Sequence, residues 1–214
     1  MRCYLVRHAQ TLWNHENRLQ GHSDLPLSPV GLEQAKRLGD YFASRSLSAL
    51  YTSHLARSLQ TAQAIAHQTG LSPVVEPTLA EMHLGVWEGL TPDEVNSRYD
   101  GAYQRWCVTP SQVEIPGAEP MDQFHRRARQ AAGQILAAHQ DDGDVVIVSH
   151  GGVIASLFAD WLEAEYDQVL RRLVLNNAGI SALDCQVTPP CVLWVNATSH
   201  LVSVDAPDLP GPQP

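Results

Sequence analysis

The sequence has a single lysine, Lys36, among its 14 basic residues, so arginine supplies every other fixed positive charge. Acidic residues number 23, which gives a formal net charge of −9. A chain with this charge repels nucleic acid and anionic membrane surfaces, and we expect it to bind neither. An anionic ligand must then be bound where arginines are concentrated, and the planar guanidinium suits phosphate or carboxylate.

Long hydrophobic runs are also missing. No apolar segment approaches the roughly 20 residues of a membrane span, and no secretory signal is recognisable, so we expect a soluble cytoplasmic protein. The four cysteines show no CxxC spacing, and neither HExxH nor another metal-ligand pattern occurs, so we predict no metal and no cofactor. A disulfide between Cys185 and Cys191 is the less favoured alternative to free thiols.

Strand and helix patterns alternate along the 214 residues, of which 44% are hydrophobic. Strands are predicted for RCYLV, SALYTS, SPVVEP and DVVIVS, and a pair of edge strands for GISALDCQV and CVLWVNAT. Helices are predicted over 28–45, 54–70, 119–140 and after 151, with Ser28 and Ser53 as N-caps and Gly70 as a C-terminal stop. This alternation predicts an α/β three-layer sandwich, with a mostly parallel central sheet and helices on both faces.

We expect a single domain over residues 1–204, because no linker or repeat divides the chain. Residues from about 90 to 117 are predicted to form an insertion that lies over the domain and outside its core, and residues 205–214 a flexible proline-rich tail. Tyr99, Tyr103 and Trp106 recur at helical spacing in the insertion, which favours packing over a ligand-binding wall. Pairing of the edge strands into a homodimer stays open.

Two predicted strands end at a histidine. His8 follows the first strand directly after Arg7, and His150 follows the apolar strand that precedes a Gly-Gly turn. If these parallel strands are neighbours, both imidazoles face one cleft at the ligand-binding edge of the sheet. Gly151 opens the next helix, whose free N–H groups favour an anion. Arg57 lies in the first turn of its helix, where the dipole opposes a cation unless an anion is near. The residues therefore predict a pocket for a phosphoryl group.

Four blocks in this order resemble the histidine phosphatase superfamily, which includes the cofactor-dependent phosphoglycerate mutases: LVRHAQTLWN, YTSHLARSLQTAQAIA, LAEMHLGVWEGLT and VIVSHGGVI. The resemblance extends from the first strand to the helix after His150. It implies a phosphoglycerate mutase-like fold and phosphoryl transfer through a phosphohistidine. It also implies that arginine and histidine neutralise the charge that a metal ion neutralises in other phosphoryl-transfer enzymes.

The resemblance implies a role for each catalytic residue. His8 is the nucleophile, and the oxygens of the phosphoryl group are held by Arg7, Arg57 and His150. Glu81 protonates the leaving alkoxide and then deprotonates the attacking water.

Further positions match less closely. Ala9 stands where the family usually has glycine, but its carbonyl can still accept the second ring N–H of His8 if its φ is negative. Glu88 is an alternative to Glu81 as the acid, although a structural acceptor is the favoured interpretation. The residues assigned to substrate binding are Asn14, Gln20, Gly21, Gly151, His22 and His83.

The segment after Glu81 resembles the phosphatase branch, with Thr91-Pro92 where mutases commonly carry Asn-Lys. The insertion is acidic on balance, which makes it a poor binding surface for a bisphosphorylated cofactor. We therefore expect a metal-independent phosphomonoesterase acting on a small phosphorylated metabolite. The alternatives are mutase-type phosphoryl transfer and a phosphate-binding module without activity. Phosphosugars, phosphoserine, phosphoglycerate-type esters and ribazole phosphate all stay open as substrates.

Overall fold

The structure is a computed structural model that describes residues 1–139 and 143–202. Its strands are β1 (Arg2–Arg7), β2 (Leu47–Thr52), β3 (Val74–Val75), β4 (Asp144–Ser149), β5 (Ile180–Asp184) and β6 (Cys191–Ala197). Its α-helices are α1 (Leu12–His15), α2 (Pro29–Phe42), α3 (Ala56–Thr69), α4 (Pro92–Arg98), α5 (Ala102–Val108), α6 (Met121–Ala138), α7 (Gly151–Trp161) and α8 (Tyr166–Arg172).

The strands form one six-stranded sheet in the order β3-β2-β4-β1-β5-β6. The first four strands of that order are parallel, β5 is antiparallel to β1, and β6 is antiparallel to β5. Strands β1 and β4 are direct neighbours, with Arg7 opposite Ser149. The segments that leave these two strands therefore begin side by side at one edge of the sheet, as the sequence predicts.

Helices cover both faces of the sheet, which confirms the three-layer α/β sandwich. Side chains of β1 alternate between the faces: Cys3 and Leu5 join one hydrophobic cluster, and Tyr4 and Val6 join the other. Helices α6, α7 and α8 contribute buried side chains to the cluster around Leu5, and helices α2 and α3 contribute to the opposite one. The near-continuous burial of β1 and β4 follows from this double cover.

Two of the predicted helix ends are confirmed and one is wrong. Ser28 caps α2 by accepting the N–H of Gly31, and α3 ends at Gly70 in the left-handed conformation, with φ +74°. Helix α3 begins at Ala56 with Leu55 as its N-cap, so Ser53 does not cap it. The hydroxyl of Ser53 instead contacts a histidine ring in the site described below.

The prediction of two C-terminal edge strands is wrong for one of them. Strand β5 is buried and pairs with β1 on one side and β6 on the other, so of these two only β6 lies at the sheet edge. The apolar run of β5 is explained by this central position. The alternative of a disulfide across this hairpin is wrong, because Cys185 and Cys191 are both free thiols.

Residues 92–112 form α4, α5 and a short 3-10 turn. Val95 and Ala102 are buried in the same hydrophobic cluster as β1 and α6, which corrects the expectation that this segment lies outside the core. Tyr99, Tyr103 and Trp106 pack against that cluster, and the last two rings stack with centroids 5.9 Å apart. The packing interpretation of this aromatic stripe is therefore confirmed.

Some predicted features lie outside the described residues. These are the end of the long helix at Gln140, the end of the domain at 204 and the tail at 205–214. In the part of the chain that is described, no helix combines the length and hydrophobicity needed to cross a membrane.

Candidate active site

His8 lies immediately after β1 and is 3% exposed. Its Nδ1 is 2.8 Å from the carbonyl oxygen of Ala9, and because a carbonyl only accepts, this nitrogen carries the ring proton. The Nε2 atom then keeps its lone pair. Ala9 has a negative φ, so its methyl group is compatible with this geometry, and it is buried against the core. The main-chain N–H of His8 donates to the carbonyl oxygen of Ser149 at 2.8 Å, and this hydrogen bond joins the ends of β1 and β4.

His150 faces His8 across the cleft, with ring centroids 5.2 Å apart. Its Nε2 lies 2.7 Å from the hydroxyl oxygen of Ser53, which itself accepts the N–H of Leu55 at 3.4 Å. The buried serine O–H has no other acceptor among the described residues, so it donates to Nε2, and the ring proton is then on Nδ1. That Nδ1 is buried and has no hydrogen-bond partner among the described residues. This N–H is therefore available to donate a hydrogen bond to an anion.

Arg57, which is buried, and Arg7, which is half-buried, form a polar wall together with His8 and His150. One terminal nitrogen of Arg7 donates to the carbonyl of Leu175, and Arg57 donates to the carbonyls of Ser23 at 2.9 Å and Gly21 at 2.7 Å. The Nε of each arginine is buried without a partner in the described part of the chain. These contacts fix both guanidinium groups and leave the buried Nε–H of each unused. Three unused buried donors beside one imidazole match the oxygens of a phosphoryl group.

The helix after β4 borders the same group of donors. Gly151 is the first residue of α7, and a Cβ built on it would lie 3.6 Å from Nε of Arg7. The N-terminus of α7 therefore adjoins the unused donor of Arg7. Its partial positive charge adds to the preference of this region for an anion.

Burial sets the charge state of the site. It lowers the pKa of Arg57 to about 10 and also lowers that of Arg7, while nearby Glu81 opposes both shifts, so both arginines stay cationic at neutral pH. Burial, followed by the charges of the two arginines, lowers the pKa of His8 well below its ordinary value. Burial and the same charges lower the pKa of His150 in the same way. Both imidazoles are therefore neutral at pH 7.

This charge state predicts how stability depends on pH. The folded-state pKa of His150 lies below the ordinary value of 6.5, so the unfolded chain binds more protons as pH falls through 6.5. The free energy of unfolding should therefore decrease from pH 7 to pH 5. We expect His150→Gln to reduce that slope by up to about 1.4 kcal/mol per pH unit. Urea denaturation at pH 7, 6 and 5 measures the free energy of unfolding of both proteins. If its dependence on pH is the same in the variant as in the wild type, His150 is not buried as a neutral ring.

Glu81 lies on the other side of the helix N-terminus. Its carboxylate accepts the main-chain N–H of Met82 at 2.9 Å and that of Gly152, in the first turn of α7, at 3.0 Å. A Cβ at position 152 would lie 2.4 Å from the carboxylate, so this close approach requires glycine. The carboxylate is thus held by backbone groups beside the polar wall. The structure brings together His8, Arg7, Arg57, Glu81, His150 and Gly151.

The remaining predicted ligands are placed around this wall. The side-chain oxygen of Asn14 accepts the N–H of Thr11 at 3.1 Å, which leaves its NH₂ group as a donor for a ligand. Gln20 accepts the hydroxyl of Thr11 at 2.9 Å. Gly21 acts through Arg57, whose guanidinium is oriented by the glycine carbonyl.

His22 and His83 form a pair of rings beside Glu81, with centroids 5.2 Å apart. The Nε2–H of His22 donates to the carbonyl of Glu81 at 2.7 Å, so this ring supports the main chain of the acid. The ring of His83 accepts the N–H of Gly85 at 3.2 Å, and its side chain is 41% exposed. The solvent exposure of His83 is therefore compatible with the predicted contact to a substrate.

The carboxylate of Glu88 accepts hydrogen bonds that have a structural role. It accepts hydrogen bonds from the N–H groups of His22 and Leu84 and, at 2.7 Å, from the hydroxyl of Ser23. Burial alone would raise the pKa of Glu88, but these donors outweigh it and lower the pKa. An ionised carboxylate with this many donors is a poor proton donor, as the structural interpretation of Glu88 requires.

Sequence reasoning did not find three residues that support the site. Ser53 carries the histidine contact described above. The amide of Asn177 donates to the carbonyl of His8 at 3.1 Å, and Arg127 donates to the carbonyl of Glu81 at 2.8 Å. Neither of the last two follows a recognisable motif, since LNNAG reads as a turn and HRRARQ as the solvated face of a helix.

Comparison with known proteins decides the family. The model of the histidine phosphatase superfamily (branch 1) matches residues 3–198. The chain belongs to this superfamily. The match covers both histidine-bearing strands and all of the polar wall.

The relatives of this chain carry two kinds of name, mutase and phosphatase. Phosphoglycerate mutase-like protein 4 of Arabidopsis thaliana is 36% identical over 157 residues, covering 72% of this chain and 68% of that protein. A mycobacterial glucosyl-3-phosphoglycerate phosphatase in complex with VO3 has a TM-score of 0.83 at 29% identity, covering 92% of this chain and 99% of that chain. A mutant phosphoserine phosphatase from Entamoeba histolytica, in complex with phosphoserine, has a TM-score of 0.83 at 26% identity, covering 94% and 99%.

Proposed function

We propose that this member of the histidine phosphatase superfamily hydrolyses small phosphomonoesters through a phosphohistidine on His8, without a metal ion. One observation carries the proposal: the free Nε2 of a buried, neutral imidazole lies among three buried donors that have no partner in the described structure. Those donors belong to Arg7, Arg57 and His150. A phosphoryl group would accept all three while its phosphorus faces the nucleophile.

The reaction would proceed in two in-line steps. In the first, the lone pair of His8 Nε2 forms a bond to phosphorus, the ester P–O bond breaks, and protonated Glu81 donates its proton to the leaving oxygen. In the second, the carboxylate of Glu81 takes a proton from water, the water oxygen attacks phosphorus, and the P–N bond breaks. Inorganic phosphate leaves and His8 is neutral again.

Hydrolysis is supported over mutase-type transfer by the charge of the segment 90–117. Its two arginines, Arg98 and Arg105, stand among four acidic residues, and Arg105 already donates to the carbonyl of Asp100. Such a surface offers little attraction to a bisphosphorylated cofactor. The two solved relatives are also named as phosphatases. Phosphoglycerate mutase activity is the second candidate, favoured by the name of the Arabidopsis relative.

Turnover of p-nitrophenyl phosphate with a chelator present tests the proposal. We expect phosphate release under these conditions, together with an acid-labile phosphoenzyme when labelled substrate is quenched during turnover. A panel of phosphosugars, phosphoserine and 3-phosphoglycerate, compared by kcat/KM, would identify the substrate class. Isomerisation of 3-phosphoglycerate, primed by bisphosphoglycerate and faster than phosphate release, would favour the mutase. A folded protein without turnover at pH 5 to 8 would favour a phosphate-binding module.

A further inference from the structure

One guanidinium holds the whole segment that carries the proposed acid. Arg127, in the second turn of α6, donates to the carbonyl of Thr78 at 2.7 Å, to that of Ala80 at 2.6 Å and to that of Glu81 at 2.8 Å. It contacts three main-chain carbonyls within four successive residues. The segment has no α-helix or strand of its own at Ala80 and Glu81, so these bonds take the place of backbone pairing.

A second set of contacts fixes Arg127 itself. Its Nε and one terminal nitrogen donate to the two carboxylate oxygens of Glu119, at 2.6 and 2.8 Å. The guanidinium carbon also lies 5.1 Å from the ring centroid of Phe124, a fully buried residue of the core. The arginine side chain is 19% exposed and that of Glu119 is 15% exposed, so solvent screens this ion pair only in part. The position of Arg127 is therefore set by the core and by a bidentate ion pair.

The carboxylate of Glu81 has a different set of partners. It is held by the N–H groups of Met82 and Gly152, whereas Arg127 and His22 hold the carbonyl of the same residue. Arg127 therefore makes no hydrogen bond to the group that would transfer the proton. Its influence on that group passes through the main chain of Glu81.

We propose that Arg127 is a positioning residue: it fixes the backbone of residues 78–81 so that the Glu81 carboxylate stands in line with the leaving oxygen. This inference rests on the proposed function, because it assigns Arg127 a role only through the acid Glu81. Lysine has one nitrogen and no planar fork, so it cannot bind three carbonyls and a bidentate carboxylate together.

Substrates with different leaving groups can show whether the acid is misplaced. An alkoxide is strongly basic and leaves only if it is protonated, whereas p-nitrophenolate leaves readily without a proton. Loss of Arg127 should therefore slow alkyl phosphates much more than p-nitrophenyl phosphate. Because kcat/KM reports the steps up to departure of the leaving group, it separates this effect from hydrolysis of the phosphoenzyme.

The experiment compares Arg127→Met and Arg127→Lys with Arg126→Met. Arg126 is adjacent on α6, its side chain is 70% exposed, and its ion pair with Asp122 stays on the helix surface. We expect both Arg127 variants to lose roughly 10–100-fold in kcat/KM on an alkyl phosphate and much less on p-nitrophenyl phosphate. Binding of inorganic phosphate should be retained, and Arg126→Met should resemble the wild type. If the methionine variant unfolds, the lysine variant reports the same ratio of substrates.

A double variant makes the test decisive. If Arg127 acts through Glu81, Arg127→Lys should cost little on alkyl phosphates once Glu81→Gln is present. Additive losses, or equal losses on both substrates, would overturn the positioning role. A Glu81→Gln protein without leaving-group dependence would instead contradict the proposed acid, so failure of that assignment can be told apart from failure of this one.

Discussion

The His8→Ala protein is expected to fold and to lose turnover by about four orders of magnitude or more. No neighbouring group can replace the imidazole, because Nε2 of His150 is engaged by Ser53 and the arginines are cationic. Within the described residues, the side chain of His8 makes a single hydrogen bond, to the adjacent carbonyl of Ala9, so its loss leaves few unsatisfied groups. Turnover of p-nitrophenyl phosphate, together with thermal unfolding, measures both outcomes.

A matched control is His67→Ala, which removes an exposed imidazole from α3 and should leave activity unchanged. The His8 variant should still bind phosphate, because Arg7, Arg57 and His150 keep their unused donors. It should give no acid-labile phosphoenzyme with labelled substrate. Wild-type rates, or a phosphoenzyme of normal yield, would remove His8 as the nucleophile.

The parts of the site that could be predicted are those that follow from strand order and local pattern. Arg7 and His8 end one buried strand, and His150 follows another. Parallel neighbours bring such ends together, and the structure places the two rings 5.2 Å apart. The position of Arg57 at a helix start predicts a place in the site only in combination with Arg7, His8 and His150. These inferences need no knowledge of distant contacts.

The parts that were missed depend on contacts between distant segments. Ser53 has the residue type and position of an N-cap, but its hydroxyl pairs with a ring 97 residues away. Among the arginines of α6, sequence alone does not distinguish Arg127 from Arg126, because only the fold shows which one faces the acid segment. Strand β5 resembles an edge strand in its pattern, yet pairing on both sides makes it central.

The Glu81→Gln protein should lose on the order of 10²–10⁴-fold in kcat/KM on alkyl phosphates and far less on p-nitrophenyl phosphate. The two carboxylate oxygens accept separately from Met82 and Gly152, and glutamine, with a single acceptor oxygen, can keep one of these two bonds. The backbone of the segment is held by other contacts, through its carbonyl oxygens, so its geometry should persist. An amide, however, does not act as an acid. Removing a negative charge near Arg7 and Arg57 should also leave inorganic phosphate bound as tightly as before, or more tightly.

The control for this variant is Glu88→Gln, since Glu88 is the other carboxylate that the sequence offers for the acid role. It accepts hydrogen bonds from His22, Ser23 and Leu84, so we expect its replacement to lower the temperature of unfolding. The dependence of kcat/KM on the leaving group should be the same in Glu88→Gln as in the wild type, because an ionised, fully bonded carboxylate does not donate the proton. Leaving-group dependence in Glu88→Gln and none in Glu81→Gln would move the acid role to Glu88.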